Sequence, residues 1–427
     1  MKFLHPWHEH LQRNTELSFT TFFGEPVVLH CHHFNLFLDQ TVEDPPYVPG
    51  RRILFKNAYE ASYCLLKEVR TTLQTGDPEH SMRLFLDLIK FLGLGTFELV
   101  GPLKPDRGSI RGMGRYSRGW MDKYGGNIRR DRGVEYFLRG FLAAAVDVAF
   151  DLDPGYTRVR ELRSPLFGDS YVELEIQPPD EHPLPLRPCI GLGDWENLRQ
   201  RQVPPSGTAP PFDVGTFARD LSHIADQLHG DERGLMEAYQ VYITRHLVRY
   251  YNGISADFYL YFEHNRDLVN VAEDLLQESG HVCVFHTFGN MLADPEIRLL
   301  AGGLPTPEHY IFATAAIGRA LGFGDWEVAR LEPGRMLDLQ TSQEYEGCHF
   351  RALQNTRDLP LFFMPGAAAA AMNLAYLSGV PQGEPLTHEA YNRLMLGEQG
   401  DPFHGKTIRG CHRGDPYTLV RAERASS

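Results

Sequence analysis

Residues 76–98, GDPEHSMRLFLDLIKFLGLGTFE, recur at a constant offset of 229 as residues 305–327, PTPEHYIFATAAIGRALGFGDWE. Pro78, Glu79 and His80 fall on Pro307, Glu308 and His309, and Gly93 and Gly95 on Gly322 and Gly324. Phe97 falls on Trp326 and Glu98 on Glu327. Downstream, GVEYFLRGFLAAAVDVAF (133–150) repeats as LPLFFMPGAAAAAMNLAY (359–376), with Gly140 on Gly366 and Asp147 on Asn373. FGDSYVELE (167–175) repeats as RGDPYTLVR (413–421). Upstream, HCHHFNLF (30–37) sits on VFHTFGNM (284–291), pairing His32 with His286 and Phe34 with Phe288. Blocks in one conserved order restrict the chain to two copies of a single fold.

Each copy reads in the same sequence of elements. A helix opens on an Asp or Thr cap with Pro in its first turn and stops at Gly-x-Gly. A strand pair follows: TFELVGP with the segment around GRYSRGW, and DWEVARLEPGRMLDLQTSQEYEG. Then come a small-residue helix and a hairpin around Gly-Asp-x-Tyr. The order predicts an α+β class: two tandem homologous repeats, each an antiparallel sheet with helices packed on it, paired as an intramolecular pseudo-dimer.

The predicted organisation is a first repeat with an N-terminal extension over 1–176, a Pro-rich linker over 177–212, and a helical segment plus the second repeat over 213–427. The linker's proline density makes it extended and semi-rigid, wrapping a surface. Helical periodicity runs through VGTFARDLSHIADQL, GLMEAYQVYITRHLVRYY and NRDLVNVAEDLLQE, with NAYEASYCLLKEVRTTL (57–73) as a partial first-half counterpart.

Forty-two basic residues against 55 acidic ones give a net charge of −13. Without a basic footprint, nucleic acid and membrane surfaces are excluded as main partners. The N-terminus lacks the apolar run of a secretory signal. Six cysteines scattered over 427 residues form no disulfide framework, so the expectation is reduced thiols in a cytoplasmic protein. RPCIGLGDW lacks the strand, helix and third glycine of a dinucleotide fingerprint, so no nucleotide cofactor is expected.

The helix ending LGLG or LGFG, the Trp-Glu strand, the EY…C segment, the Gly/Ala-rich helix and the closing Gly-Asp hairpin together resemble 4-vinyl-reductase-like, hydrocarbon-binding domains. Transport-particle subunits and haem nitric-oxide-binding domains share that fold. The resemblance covers residues 27–175 and 280–421. It implies a cavity for a hydrophobic or aromatic small molecule in each repeat. The family's closing hairpin carries two cysteines that can help hold zinc. Here Cys411 precedes Gly414-Asp415, Tyr417 stands near the place of the second cysteine, and the first repeat has none.

The chemistry-bearing stretch is VVLHCHHFNLFL (27–38). As a strand it places His30 and His32 on one face, a pair able to give two nitrogens to Zn or Fe. His286 is the candidate third ligand, with Glu79, Glu308, Glu344 or Glu346 as carboxylates. The bland alternative is that His32 and His286 hydrogen-bond backbone in two equivalent cores. Cys348-His349 and Cys411-His412, on two strands that the family fold brings together, form a second metal set. His80 and His309 read as helix-capping residues, and the histidines of HPWHEH (5–10) as solvated. No catalytic residue stands out. Two functions follow: a metal-dependent enzyme, most naturally an oxidoreductase, acting on a small hydrophobic or aromatic molecule, or a non-catalytic binding or carrier protein for such a ligand, tetrapyrroles included. A sensor would need an ATPase or DNA-binding module. A second copy of the chain, as a homodimer, is the remaining partner class.

Overall fold

In a computed structural model, residues 3–16, 18–126, 129–178, 182–189, 203–352 and 359–424 are described. The first half begins with β1 (Leu11–Asn14), β2 (Phe19–Phe22) and β3 (Glu25–Cys31), followed by helices His32–Glu43, Gly50–Leu73 and Pro78–Phe91. Next come β4 (Gly95–Lys104), β5 (Arg107–Gly114), helix Arg115–Tyr124, helix Tyr136–Ala149, β6 (Arg158–Arg163) and β7 (Val172–Gln177). The second half runs through β8 (Met236–Ala238), β9 (Val241–Leu247) and helices Val248–Tyr261, Arg266–Cys283 and Pro307–Leu321. It closes with β10 (Glu327–Glu332), β11 (Met336–Thr341), helices Tyr345–Ala352 and Phe363–Tyr376, β12 (Phe403–Arg409) and β13 (Thr418–Arg424).

The two repeat sheets share one strand order, β4-β5-β7-β6 and β10-β11-β13-β12, all antiparallel. Irregular register recurs at matching places, between Glu161 and Arg163 in β6 and between Thr407 and Arg409 in β12. The helix stops match as well: Gly93 and Gly322 both adopt positive φ, where a side chain would be strained. Asp77 caps its helix by accepting from the His80 amide at 2.7 Å. Thr306 Oγ1 meets His309 Nδ1 at 2.9 Å, so both first-turn histidines sit in capping contexts.

A third sheet, β1-β2-β3-β9-β8, joins the halves. Val27 pairs with Leu247 and Cys31 with Ile243. Exchanging β3 and β9 in that register maps Val27 onto Ile243 and Cys31 onto Leu247, which defines a local twofold midway along the strands. The helices obey it. Helix 32–43 leaves β3 as helix 248–261 leaves β9, and each packs on the long helix of the other repeat, 266–283 and 50–73 respectively. The small-residue helices meet these long helices at glycine. A Cβ on Gly140 would lie 2.4 Å from Ala58 Cβ, and one on Gly366 would lie 2.0 Å from the Gln277 carbonyl. Alanine-rich segments thus serve close helix approach.

Several expectations change. Residues 236–247 are a β-hairpin, not helix, because the β-branched and aromatic run VYIT favours an extended chain and fills an interior strand of its sheet. GRYSRGW is helical after Gly114, and Tyr345–Ala352 is a helix, so Glu346 and Cys348 do not sit on strands, while Glu344 keeps only an isolated bridge to Gly324. Thiols are not all reduced: Cys64 and Cys189 form a disulfide, while Cys31, Cys283, Cys348 and Cys411 are free and buried. Sequence spacing hid this pair because the linker folds back on helix 50–73, where Arg187 also binds Glu60 with Nε–Oε2 at 2.8 Å. The linker's other end lies along the β10 edge, with the Gly207 amide donating to the Ala329 carbonyl. Residues 190–202 of the linker, including most of RPCIGLGDW, fall outside the described residues. The N-terminal HPWHEH is anchored by Trp7, which is fully buried and donates its Nε1 hydrogen to Asp87, while His8 is exposed and His5 and His10 are half-buried. No helix among the described residues is long and apolar enough to cross a membrane.

Candidate functional site

The strand β3 ends one residue after His30, because the Cys31 thiol accepts the Phe34 amide at 3.5 Å and caps the following helix. That cap separates the histidines. His30 points into the second repeat, whereas His32 and His33 lie on the first helical turn, so His30 and His32 do not share a strand face.

His30 is fully buried in an aromatic cage. Its ring stacks on Phe34 at 3.8 Å between centroids and meets Tyr251, Phe323 and Phe363 edge-on at 4.6, 4.9 and 5.1 Å. Its Nδ1 lies 3.3 Å from Cys283 Sγ, and its Nε2 has no hydrogen-bond partner among the described residues. Burial first, then the neighbouring His246 and Arg115, holds its pKa well below the ordinary imidazole value. The ring is neutral at physiological pH.

The twofold places His246 opposite His30, a correspondence that the block pairing of His32 with His286 missed. His246 contacts Phe137 at 4.2 Å and Tyr250 at 4.8 Å, and its Nε2 lies 3.1 Å from the Tyr116 hydroxyl. Its Nδ1 accepts the Leu247 amide at 3.0 Å. Buried Arg115 lies close to it, and buried Asp39 and Glu135 lie near its partner Tyr116. The signal was present in LHCHHF and TRHLVRYY, two histidines each closing a strand before a helix. The upstream block, in contrast, was matched at a spacing that departs from the 229 of the following block.

The five expected metal ligands are not gathered into one centre. His32 Nδ1 accepts the Tyr242 amide at 3.2 Å. Burial first, then Arg115, lowers its pKa to about 3. His286 lies in the π-helical turn Val284–Phe288 and stacks on His33 at 4.4 Å. Cys348 lies in helix 345–352, its thiol 3.8 Å from Gln343 Oε1. Cys411 lies in the turn Cys411–Arg413, which packs on that helix. The neighbouring carboxylates are engaged by backbone: Glu344 accepts the Glu346 and Gly347 amides, and Glu346 the Phe363 amide at 2.8 Å. Glu79 is an exposed partner of Arg83, and Glu308 accepts the Tyr376 hydroxyl. Among the described residues, no group of three or more His, Cys, Asp or Glu side chains has the geometry to hold a metal ion.

No family model and no curated protein matches the chain. Among solved structures, the chain is similar to the phenol-responsive sensory domain of the transcription activator PoxR, crystallised with phenol. The identity is 14% and the TM-score 0.31, over 48% of this chain and 89% of that one.

Proposed function

We propose that the protein is a non-catalytic binder or carrier of a small aromatic molecule, held at the aromatic cage around His30. The observation that carries this is the Nε2 of a neutral, fully buried histidine, without a hydrogen-bond partner among the described residues and walled by four aromatic rings. An unsatisfied buried polar atom costs about 1–3 kcal/mol, which a ligand hydroxyl recovers. A hydroxyl both donates and accepts, so it suits either imidazole tautomer. The rings supply the edge and face contacts that a planar ligand prefers.

The binding reading is preferred to the metal-dependent enzyme because the proposed ligands are occupied by backbone or spread over separate elements. The Cys283–His30 pair does not supply a nucleophile either. Burial, then Cys31, raises the Cys283 thiol pKa well above its ordinary value, while that of His30 falls, so the pair stays neutral. Phenol is the minimal probe. It is expected to raise the melting temperature of the full chain progressively at millimolar concentrations, by mass action. No shift in that range would overturn the reading.

A further inference from the structure

Arg115 begins helix 115–124 and is fully buried, and none of its three guanidinium nitrogens has a hydrogen-bond partner among the described residues. A guanidinium withdrawn from water is costly unless acceptors replace the solvent. A further buried atom in the same core, Asp39 Oδ2, likewise lacks a hydrogen-bond partner among the described residues. The remaining carboxyl oxygens are used: Asp39 Oδ1 accepts the Tyr250 hydroxyl at 3.2 Å and Glu135 Oε1 the Ser117 amide at 2.9 Å. Burial raises the pKa of both acids, which weakens them as counter-charges.

The fold does not require this arginine. Gly95 pairs with Gly114 in the first repeat, as Gly324 pairs with Glu344 in the second. Arg115 therefore matches Tyr345, and an aromatic side chain serves the same position. The cation belongs to the first repeat alone, its guanidinium 5.1 Å from the Tyr116 ring centroid and close enough to Tyr251 to act on its hydroxyl.

We propose that Arg115 is a carboxylate-recognition residue, so that the first repeat takes a small aromatic monoacid. This rests on the reading of the protein as a binder of small aromatic molecules and adds, beside the site at His30, a second one in the first repeat that selects an acid. A planar carboxylate matches the guanidinium fork. One cation with two acids nearby suits a monoanion and disfavours a phosphate dianion. The aromatic walls suit a ring. Because the core is closed, association requires the chain around it to open and is slow compared with ordinary encounter.

Calorimetric titration of the full chain with benzoate, benzyl alcohol and phenol tests this. Benzoate is expected to bind at one site and to lose about 30-fold or more in affinity in Arg115→Met. Benzyl alcohol and phenol should change little in that variant. Equal benzoate affinity in Arg115→Met overturns the proposal, as does phenol binding without benzoate binding, which leaves the binding reading intact. Failure of all three ligands to bind overturns both. If Arg115→Met does not fold, wild-type crystals soaked in 4-bromobenzoate decide. An anomalous bromine peak with the carboxylate on Arg115 supports the proposal, and its absence there contradicts it.

Discussion

His30 and His246 occupy equivalent places on the two strands that meet at the local twofold, and each is gripped by aromatic side chains of the opposite repeat. His30 reaches Phe323 and Phe363, and His246 reaches Phe137 and Tyr116. The difference is polar: among the described residues His246 has partners at both nitrogens and His30 at one. Replacing His246 with Phe should therefore remove the imidazole partner of the buried Tyr116 hydroxyl and cost about 1 kcal/mol in urea unfolding. His30→Phe should cost less. Equal losses would count against the asymmetry.

The close helix contacts give a sharper stability test. A Cβ on Gly366 would lie 2.0 Å from the backbone oxygen of Gln277, which cannot swing aside. Gly366→Ala should destabilise by about 1–3 kcal/mol or more, despite alanine's better helix propensity. At the open position Gly76, where a Cβ meets nothing within 4 Å, the same change should be near neutral. A Gly366→Ala protein as stable as wild type would contradict the packing.

The repeat architecture was legible because its signals are local and duplicated: Pro-Glu-His after a cap, Gly-x-Gly after a helix, Gly-Asp after a strand. The exchange of helices across the twofold was not, since β3 and β9 share almost no residue identity beyond the histidine. The end of β3 was misread for a related reason. Cys31 caps a helix through its thiol, a role normally held by Ser, Thr, Asp or Asn, so VVLHCHHF looked like an uninterrupted strand. Arg115 carried no sequence signal at all, because an arginine in GRYSRGW reads as solvated until burial is known.

Buried acids set the alkaline stability limb. Burial, then Glu161, raises Glu135 to a pKa of about 8, against an unfolded value near 4.5. The folded state thus holds a proton that the unfolded chain releases. The stability contribution is full below the unfolded pKa and is lost as pH rises towards about 8. Glu135→Gln mimics the protonated acid. It should gain stability of order 1 kcal/mol over wild type above pH 8, the gain vanishing by about pH 5. Parallel stability–pH curves for the two proteins would refute this.

The buried histidines act in the opposite direction. With pKa values lowered by burial, His30, His246 and His286 stay neutral in the fold but take up protons when unfolded. Their contribution is present above the unfolded pKa of about 6.5 and is lost as pH falls below it, by about 1.4 kcal/mol per pH unit for each histidine. His30→Phe should shallow that acid limb in chemical denaturation; an unchanged slope would argue against a neutral His30.

Thiol counting checks the linker. Of the six cysteines, four are free and two are joined across a sequence separation of 125. Protein denatured without reductant should titrate four thiols, and reduction should lower stability by up to about 5 kcal/mol in the chain-entropy account. Six titratable thiols would contradict the Cys64–Cys189 link.

The most direct test of the central claim is calorimetric titration of phenol into wild type and His30→Leu. The cage predicts saturable binding to wild type and at least a tenfold weaker affinity, about 1.4 kcal/mol, in the variant, with His246→Leu within about threefold of wild type. Indistinguishable affinities for wild type and His30→Leu, or no binding to wild type, would contradict a ligand site at His30.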